Sequence, residues 1–440
     1  MISRDRVLGF IMAGGRGKRL KVLTITRCKP VVNILGRYRI FDFVATNIAD
    51  TGIRNSIVAA QFQSESLKNY IGDGKTWGFD GINKNIEVIE PDKEGLAFEG
   101  TADSVRKSIS RIDRYNPEVI LILGSDHIYK IDYSDAIKYH IAKEADITIM
   151  TSLIPEKNVS EFGLIKIDGS GRIIDFAEKP TDKEIIESFR LTPEIKEYLG
   201  IENTNFNFLA SMGNYIFFRE RLKRFLDYPG VDFGKDIIPA IKKNSRDIYA
   251  YIFNGYWRDV GNIQDYFECN MEFINGKSPI INLEKQIKTK GKKNHSPIKN
   301  AILNSDNIIR ESSIIKNSVL GSKITIEDQC LLENCIILGN DINNRNGHYA
   351  NQIGKGSKLS HVILDENVWV GKDVNINPCN GTYEQRKKTL ESVGLKPYRE
   401  NGSEITKGDF YIEPDSGILI IGRQCETKTK KIVLPDGIRC

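Results

Sequence analysis

The chain has 440 residues, 40% of them hydrophobic and 28% charged, with 63 lysines and arginines against 58 aspartates and glutamates. That length calls for two or more domains, and the composition is that of a folded protein and not a disordered one. A net charge of only +5 argues against a dedicated nucleic-acid binder, while a local basic patch for phosphates remains compatible with it.

The first element is a strand over Val7–Met12. Its apolar run, Val7 to Ala13, is only seven residues before glycines begin, so it reads as a buried strand and not a secretory segment. No window holds the roughly 20 apolar residues that cross a bilayer. The seven cysteines are odd in number and scattered, without a Cys-x-x-Cys. Neither a disulfide scaffold nor a zinc site is expected, and a reducing cytoplasm is the expected compartment.

The strand runs directly into Ala13-Gly14-Gly15-Arg16-Gly17-Lys18-Arg19-Leu20. Glycines there let backbone N–H groups approach an anion, and Arg16, Lys18 and Arg19 add charge. It is not a P-loop, because no Gly-Lys-Ser/Thr follows. It is also a poor dinucleotide fingerprint, because Leu20 stands where the third glycine belongs. Alone, such a turn serves either a phosphate or only the chain reversal. Leu23-Thr24 and Arg27-Cys28-Lys29-Pro30 continue it.

Further strands are expected over Ser56–Ala60, Val119–Leu123, Asp146–Thr151, Arg172–Ala177 and Met212–Phe218, with amphipathic helices over Ala102–Tyr115 and Tyr133–Ala145. This alternation predicts a Rossmann-like, mostly parallel α/β sheet covered on both faces, with ligands beyond the carboxyl ends of its strands. Gln61 stands at one such end. Asp126 follows another, in Gly124-Ser125-Asp126-His127, where an aspartate either holds a divalent cation over a phosphate or caps a turn.

A polar stretch, Lys285 to Lys299, reads as a linker. Beyond it Ile302, Ile308, Ile314, Leu320, Ile326, Leu332 and Leu338 recur every six residues, and Leu364, Val370 and Ile376 resume the spacing. A period of six fits neither a helix nor a two-faced strand and predicts a hexapeptide, left-handed parallel β-helix; a sandwich with fortuitous spacing is the alternative. The expected layout is an α/β domain over 1–275, a linker over 276–299, and the β-helix over 300–440 with insertions at 339–352 and 378–407.

Gly-Gly-x-Gly-x-Arg-Leu, Leu-Thr and Arg-x-Lys-Pro between Gly14 and Pro30 resemble the signature of the sugar nucleotidyltransferases. Tyr38 to Phe43, Asn47 and Thr51-Gly52-Ile53 resemble the glucose-1-phosphate adenylyltransferase (ADP-glucose pyrophosphorylase) family in particular. Later strings keep that family's order: Leu123 to Tyr133, Glu161-Phe162-Gly163, Phe176-Ala177-Glu178-Lys179-Pro180, Ala210 to Gly213, Asp232 to Asp236 and Tyr256 to Gly261.

The resemblance implies substrates and roles. ATP and glucose 1-phosphate would be the reactants. Ala13, Gly14, Gly15, Gly17, Gly100, Thr101 and Ala102 would line the nucleotide, with Gln61 on adenine. Arg19 and Lys29 would hold the triphosphate, and Asp126 and Asp259 would share one Mg²⁺. Lys179 would meet the sugar phosphate and Glu178 the sugar hydroxyls, with Gly163 and Ser211 as further walls. A homotetramer, or a hetero-oligomer with a paralogue, under metabolite control is implied too; Lys21, Arg37 and Arg423 read either as anion contacts or as ordinary solvated charges, and no membrane or nucleic-acid partner is expected.

The nucleophile is already an anion, so alignment and charge neutralisation carry such a reaction and no catalytic triad is required. Ser125 and Leu35 stand where the family usually has glycine, and Asp50-Thr51 where it usually has Asn-Ser. Three alternatives stay open: a regulatory paralogue that binds nucleotide, a transferase using UTP, dTTP or GTP, and an acyltransferase built on the β-helix with His348 or His361 as base.

Overall fold

The computed structural model describes residues 3–91, 97–157, 159–201, 205–244, 247–274, 297–339, 351–399, 408–422, 432–434 and 438. The chain forms two compact units, Met1–Gly15 with Phe41–Trp257, and Arg16–Ile40 with Arg258–Cys440. By its contacts, the basic stretch Arg16–Ile40 therefore belongs with the C-terminal residues.

In the first unit one sheet contains β1 (Val7–Ala13), β2 (Asn55–Ala60), β3 (Asn85–Ile89), β4 (Val119–Gly124), β5 (Ile147–Pro155), β6 (Gly163–Ile167), β7 (Ile173–Glu178), β8 (Phe206–Phe218) and β9 (Ile248–Phe253). The lateral order is β7-β6-β8-β4-β1-β2-β3, with β5 on β8 and β9 on β5. Strands β4, β1, β2 and β3 are parallel, and β8 joins β4 antiparallel. Val119 to Leu123 are fully buried, as a strand covered on both faces requires, which explains their unbroken apolar run. Each strand foreseen in this part forms. The helix foreseen over Ala102–Tyr115 is instead two, Thr101–Lys107 and Ile109–Arg114. Ser108 breaks it, its hydroxyl donating to Ser104 O at 2.6 Å, a back-bond that bends helices.

The second unit contains a parallel β-helix. Three ladders of side chains stack in register: Leu303, Leu320, Ile337, Leu364 and Ile421; Ile309, Ile326, Ile353 and Val370; and Ile315, Leu332, Leu359 and Ile376. Leu303 to Ile309 to Ile315 to Leu320 therefore steps six, six and five residues, so one coil takes 17 and not 18. Corners at Asp306, Ser312 and Asn317 have left-handed backbone, repeated one coil later at Lys323, Gln329 and Asn334.

The unbroken period of six is corrected accordingly. Leu320, Ile326, Leu332, Leu364, Val370 and Ile376 stand on the ladders, whereas Ile302, Ile308, Ile314 and Leu338 are one residue off them, and Ile308 is 56% exposed. The five-residue side shifts the pattern by one at each passage.

Of the expected linker, 276–296 lies outside the described residues; Ile298 already begins the first strand, Ile298–Leu303. Of the insertions, 340–350 and 400–407 also lie outside them, as do His348 and Arg423. The segment from Pro378 holds a helix, Tyr383–Ser392, opened by a capping box between Thr382 and Gln385, and its Leu390 enters the β-helix core. Among the described residues no helix is long and apolar enough to cross a membrane.

Candidate active site

Parallel pairing brings the carboxyl ends of the central strands level. Ala13 pairs with Ala60, and Met12 with Gly124, so Ala13, Gln61 and Asp126 leave the sheet on one edge. Strand β8 runs the other way beside β4, with Tyr215 opposite Ile122, which carries Gly213 and Ser211 past that same edge. The sheet edge is the site that strand-end logic predicts.

Gly14 and Gly15 are not required by packing. A Cβ on Gly14 would meet nothing closer than Gln61 Cβ at 3.8 Å, and on Gly15 nothing within 4 Å. Gln61 Oε1 accepts from Phe98 N at 2.8 Å. Ser125, in the usual glycine place, is buried with its hydroxyl donating to Met12 O at 2.8 Å, so its side chain is satisfied within the sheet edge. The Asp126 side chain is 42% exposed, with His127 Nε2 at 3.5 Å from Oδ1.

Gly100, Thr101 and Ala102 serve packing directly. A Cβ on Gly100 would stand 2.4 Å from Val231 O. Ala102 N donates to that same oxygen at 2.8 Å, and the Ala102 side chain is in the core. Thr101 Oγ1 donates to Asp232 Oδ2 at 3.0 Å and accepts from Phe233 N at 2.9 Å.

On the other side of the edge Glu178 is recessed by two glycines. A Cβ on Gly163 would stand 2.7 Å from Glu178 Oε2, and on Gly234 2.6 Å. Burial pushes the Glu178 carboxyl above its ordinary range and Asp232 adds to this, against the opposing pull of Lys179 and Lys235. Lys179 is exposed, on left-handed backbone with φ of 48°, and its N–H donates to Phe162 O at 3.2 Å. Ser211 Oγ accepts from Gly213 N at 3.2 Å, where β8 breaks register with β5.

In the second unit Gly17, Arg19, Lys29 and Asp259 come together. Gly17 has φ of 62°, and a Cβ there would stand 2.8 Å from Lys29 Cβ. Thr24 Oγ1 donates to Gly17 O at 3.0 Å and closes the turn. Gly261 makes room for Arg19: a Cβ there would stand 2.6 Å from Arg19 Nη2. Lys29 Nζ lies 3.5 Å from Asp259 Oδ1. Lys21 stands over the rings of Tyr398 and Tyr411, at 5.7 and 5.2 Å, and Arg37 over Tyr38.

Sequence reasoning missed a buried charge cluster beside Lys29. Arg27 pairs with Asp365 and Glu366, and Asn33 and Arg39 share Glu366. Arg27 was visible within Arg-x-Lys-Pro; its acidic partners, more than 330 positions on, carried no local signal.

These groups suit phosphate chemistry: cations for phosphate oxygens, recessed acceptors for hydroxyls, and glycine backbone where no side chain intrudes. The carboxylates of Asp126 and Asp259 are the hard oxygen donors Mg²⁺ takes, and both keep some exposure, 42% and 15%. They fit that ion chemically.

Residues 8–276 match the family model described as nucleotidyl transferase. Residues 289–393 match the GLGC left-handed parallel beta-helix domain.

Proposed function

From a chain that belongs to the nucleotidyl transferase family and carries a GLGC left-handed β-helix, we propose an enzyme that transfers the adenylyl group of ATP to α-D-glucose 1-phosphate and releases pyrophosphate. The observation that carries the reading is the shared sheet edge. Ala13, the glycines after it, Gln61 and Asp126 leave the sheet there, with Glu178 recessed behind Gly163 and Gly234.

In this reaction an oxygen of the sugar phosphate attacks the α-phosphorus of ATP. A new P–O bond forms, the bond to the bridging β-phosphate oxygen breaks, and its electron pair leaves with pyrophosphate. No proton needs to be removed from the nucleophile, so no general base is assigned. Lys29 and Arg19 neutralise the charge that builds on the leaving phosphates, and Lys179 neutralises the attacking one. Glu178 accepts from sugar hydroxyls and fixes the sugar's orientation. Asp126 and Asp259 are proposed as the carboxylate ligands of Mg²⁺, which when bound screens the repulsion between the two anionic substrates.

Resemblance alone supports the choice of adenine, a tetramer or a paired paralogue, metabolite control, and ADP-glucose as donor for glycogen or another α-glucan.

The test is pyrophosphate release by the purified chain with Mg²⁺ and glucose 1-phosphate, comparing ATP, UTP, dTTP and GTP. Turnover with ATP alone is the expected outcome. Preference for another nucleotide keeps the mechanism and rejects the adenylyl assignment. Silence with all four, from a folded chain that binds ATP, makes it a regulatory paralogue.

A further inference from the structure

The segment Arg16–Ile40, which carries Lys29, has little regular structure of its own. It holds short 3-10 turns at Lys18–Thr24 and Lys29–Val31 and a pair of two-residue strands. Backbone ladders therefore do little to fix where the Lys29 ammonium stands.

Buried charge does so instead. Arg27 Nε donates to Leu23 O at 3.1 Å, Nη1 to Glu366 Oε1 at 3.2 Å, and Nη2 pairs with Asp365. Its side chain is 4% exposed. Glu366 Oε1 also accepts from Asn33 Nδ2 at 3.3 Å and lies 3.6 Å from Arg39 Nη1. Arg39 Nη1 in turn donates to Val31 O at 3.1 Å. The acids sit at a β-helix corner that is itself anchored. Asp365 N donates to Ile421 O at 2.9 Å, and Asp365 O accepts from Asn351 Nδ2 at 2.9 Å.

These contacts bracket Lys29, with Arg27 before it and Val31 and Asn33 after it. A guanidinium held at three points fixes angle as well as distance, which an aliphatic contact does not. Burial alone would lower the Arg27 pKa; Asp365 and Glu366 outweigh that and raise it, so the cation is secure.

We propose that Asp365 and Glu366 are positioning residues for the transfer reaction, setting through Arg27 and Arg39 where the Lys29 ammonium stands. They touch no substrate. The proposal rests on the adenylyl-transfer reading above.

The test uses full-length Asp365→Asn, Glu366→Gln and Arg27→Lys. Turnover is measured per folded molecule, alongside the rate of reductive methylation of Lys29 relative to Lys179 by mass spectrometry. Displacing a charged group by about 1 Å costs on the order of 100-fold in rate, so kcat falls roughly 10- to 100-fold. KM for glucose 1-phosphate stays within about threefold, because Glu178 and Lys179 are untouched. The Lys29 methylation ratio changes in the same variants, and Asp365→Glu restores part of the turnover. If Glu366→Gln does not fold, Asn33→Ala, which removes one neutral donor to Glu366, carries the test with the same expected direction. Folded variants with wild-type kcat and an unchanged Lys29 ratio overturn the positioning role alone. A wild-type chain silent with every nucleotide overturns the transfer reading, and the positioning role with it.

Discussion

Lys29 Nζ stands 3.5 Å from Asp259 Oδ1, with the two side chains only 8% and 15% exposed. The resemblance gives one to phosphate and the other to metal, and in the fold their charges stand opposite each other. The contact sets two largely buried opposite charges against each other.

Removing either partner therefore touches both activity and stability. Lys29→Met is expected to lower kcat by about 10²–10³-fold, the usual cost of one stabilising donor. It also costs about 1–3 kcal/mol, because the Asp259 carboxylate loses a charged partner. Urea unfolding together with pyrophosphate release measures the two effects. A variant with wild-type turnover removes Lys29 from the mechanism.

Asp126 makes the opposite case, because its side chain is 42% exposed. Asp126→Asn is expected to cut kcat by on the order of 10²–10³-fold, while stability stays within about 0.5 kcal/mol. Far-UV circular dichroism and Mg²⁺-dependent pyrophosphate release check this. A drop in melting temperature that tracks the lost activity would make Asp126 structural.

The glycines of the first turn separate by what surrounds them. At Gly17, φ of 62° and the Lys29 Cβ contact make alanine strained, so Gly17→Ala is expected to cost about 1–2 kcal/mol or more. At Gly15 a Cβ meets nothing within 4 Å, so Gly15→Ala leaves stability within about 0.5 kcal/mol. If phosphate uses that open backbone, Gly15→Ala raises KM for the nucleotide without moving the melting temperature. An unchanged KM frees Gly15 from substrate contact.

Glu178 predicts a pH effect. Burial and Asp232 hold its carboxyl above the ordinary range, so on acidification it takes up a proton earlier than an exposed glutamate does. KM for glucose 1-phosphate is expected to rise from the upper side of that range downward. A raised folded-state pKa means the charged form opposes folding. The neutral form is the one the fold favours, and its contribution to stability is present in full below the unfolded pKa and lost as pH rises through the folded one. Glu178→Gln is therefore expected to raise the melting temperature at neutral pH, flatten the KM profile, and weaken sugar binding by about 10- to 100-fold, the worth of a hydrogen bond to a charged acceptor. An unflattened profile assigns the pH effect to another group.

Much of the first unit was legible because its signals are local. An apolar run such as Val119–Leu123 declares a doubly covered strand from five adjacent residues, and Asp126 gains its place from standing three residues further on. The Gly100-Thr101-Ala102 string was legible too, but its packing against Val231 and Asp232 was not, because Thr101 and Asp232 lie 131 positions apart.

The sequence by itself determined the kind of each part: sheet, glycine turn, β-helix and the order of the charged groups. These follow from alternation and period, which neighbouring residues express without knowledge of the rest. Tertiary structure decided which residues of the β-helix point inward, because a single five-residue side per coil moves the ladder from Ile302 to Leu303. It also decided that Arg27 is clamped by Asp365 and Glu366. A buried ion pair is selected by closeness in space, and two residues 338 positions apart become neighbours only once the coils are stacked.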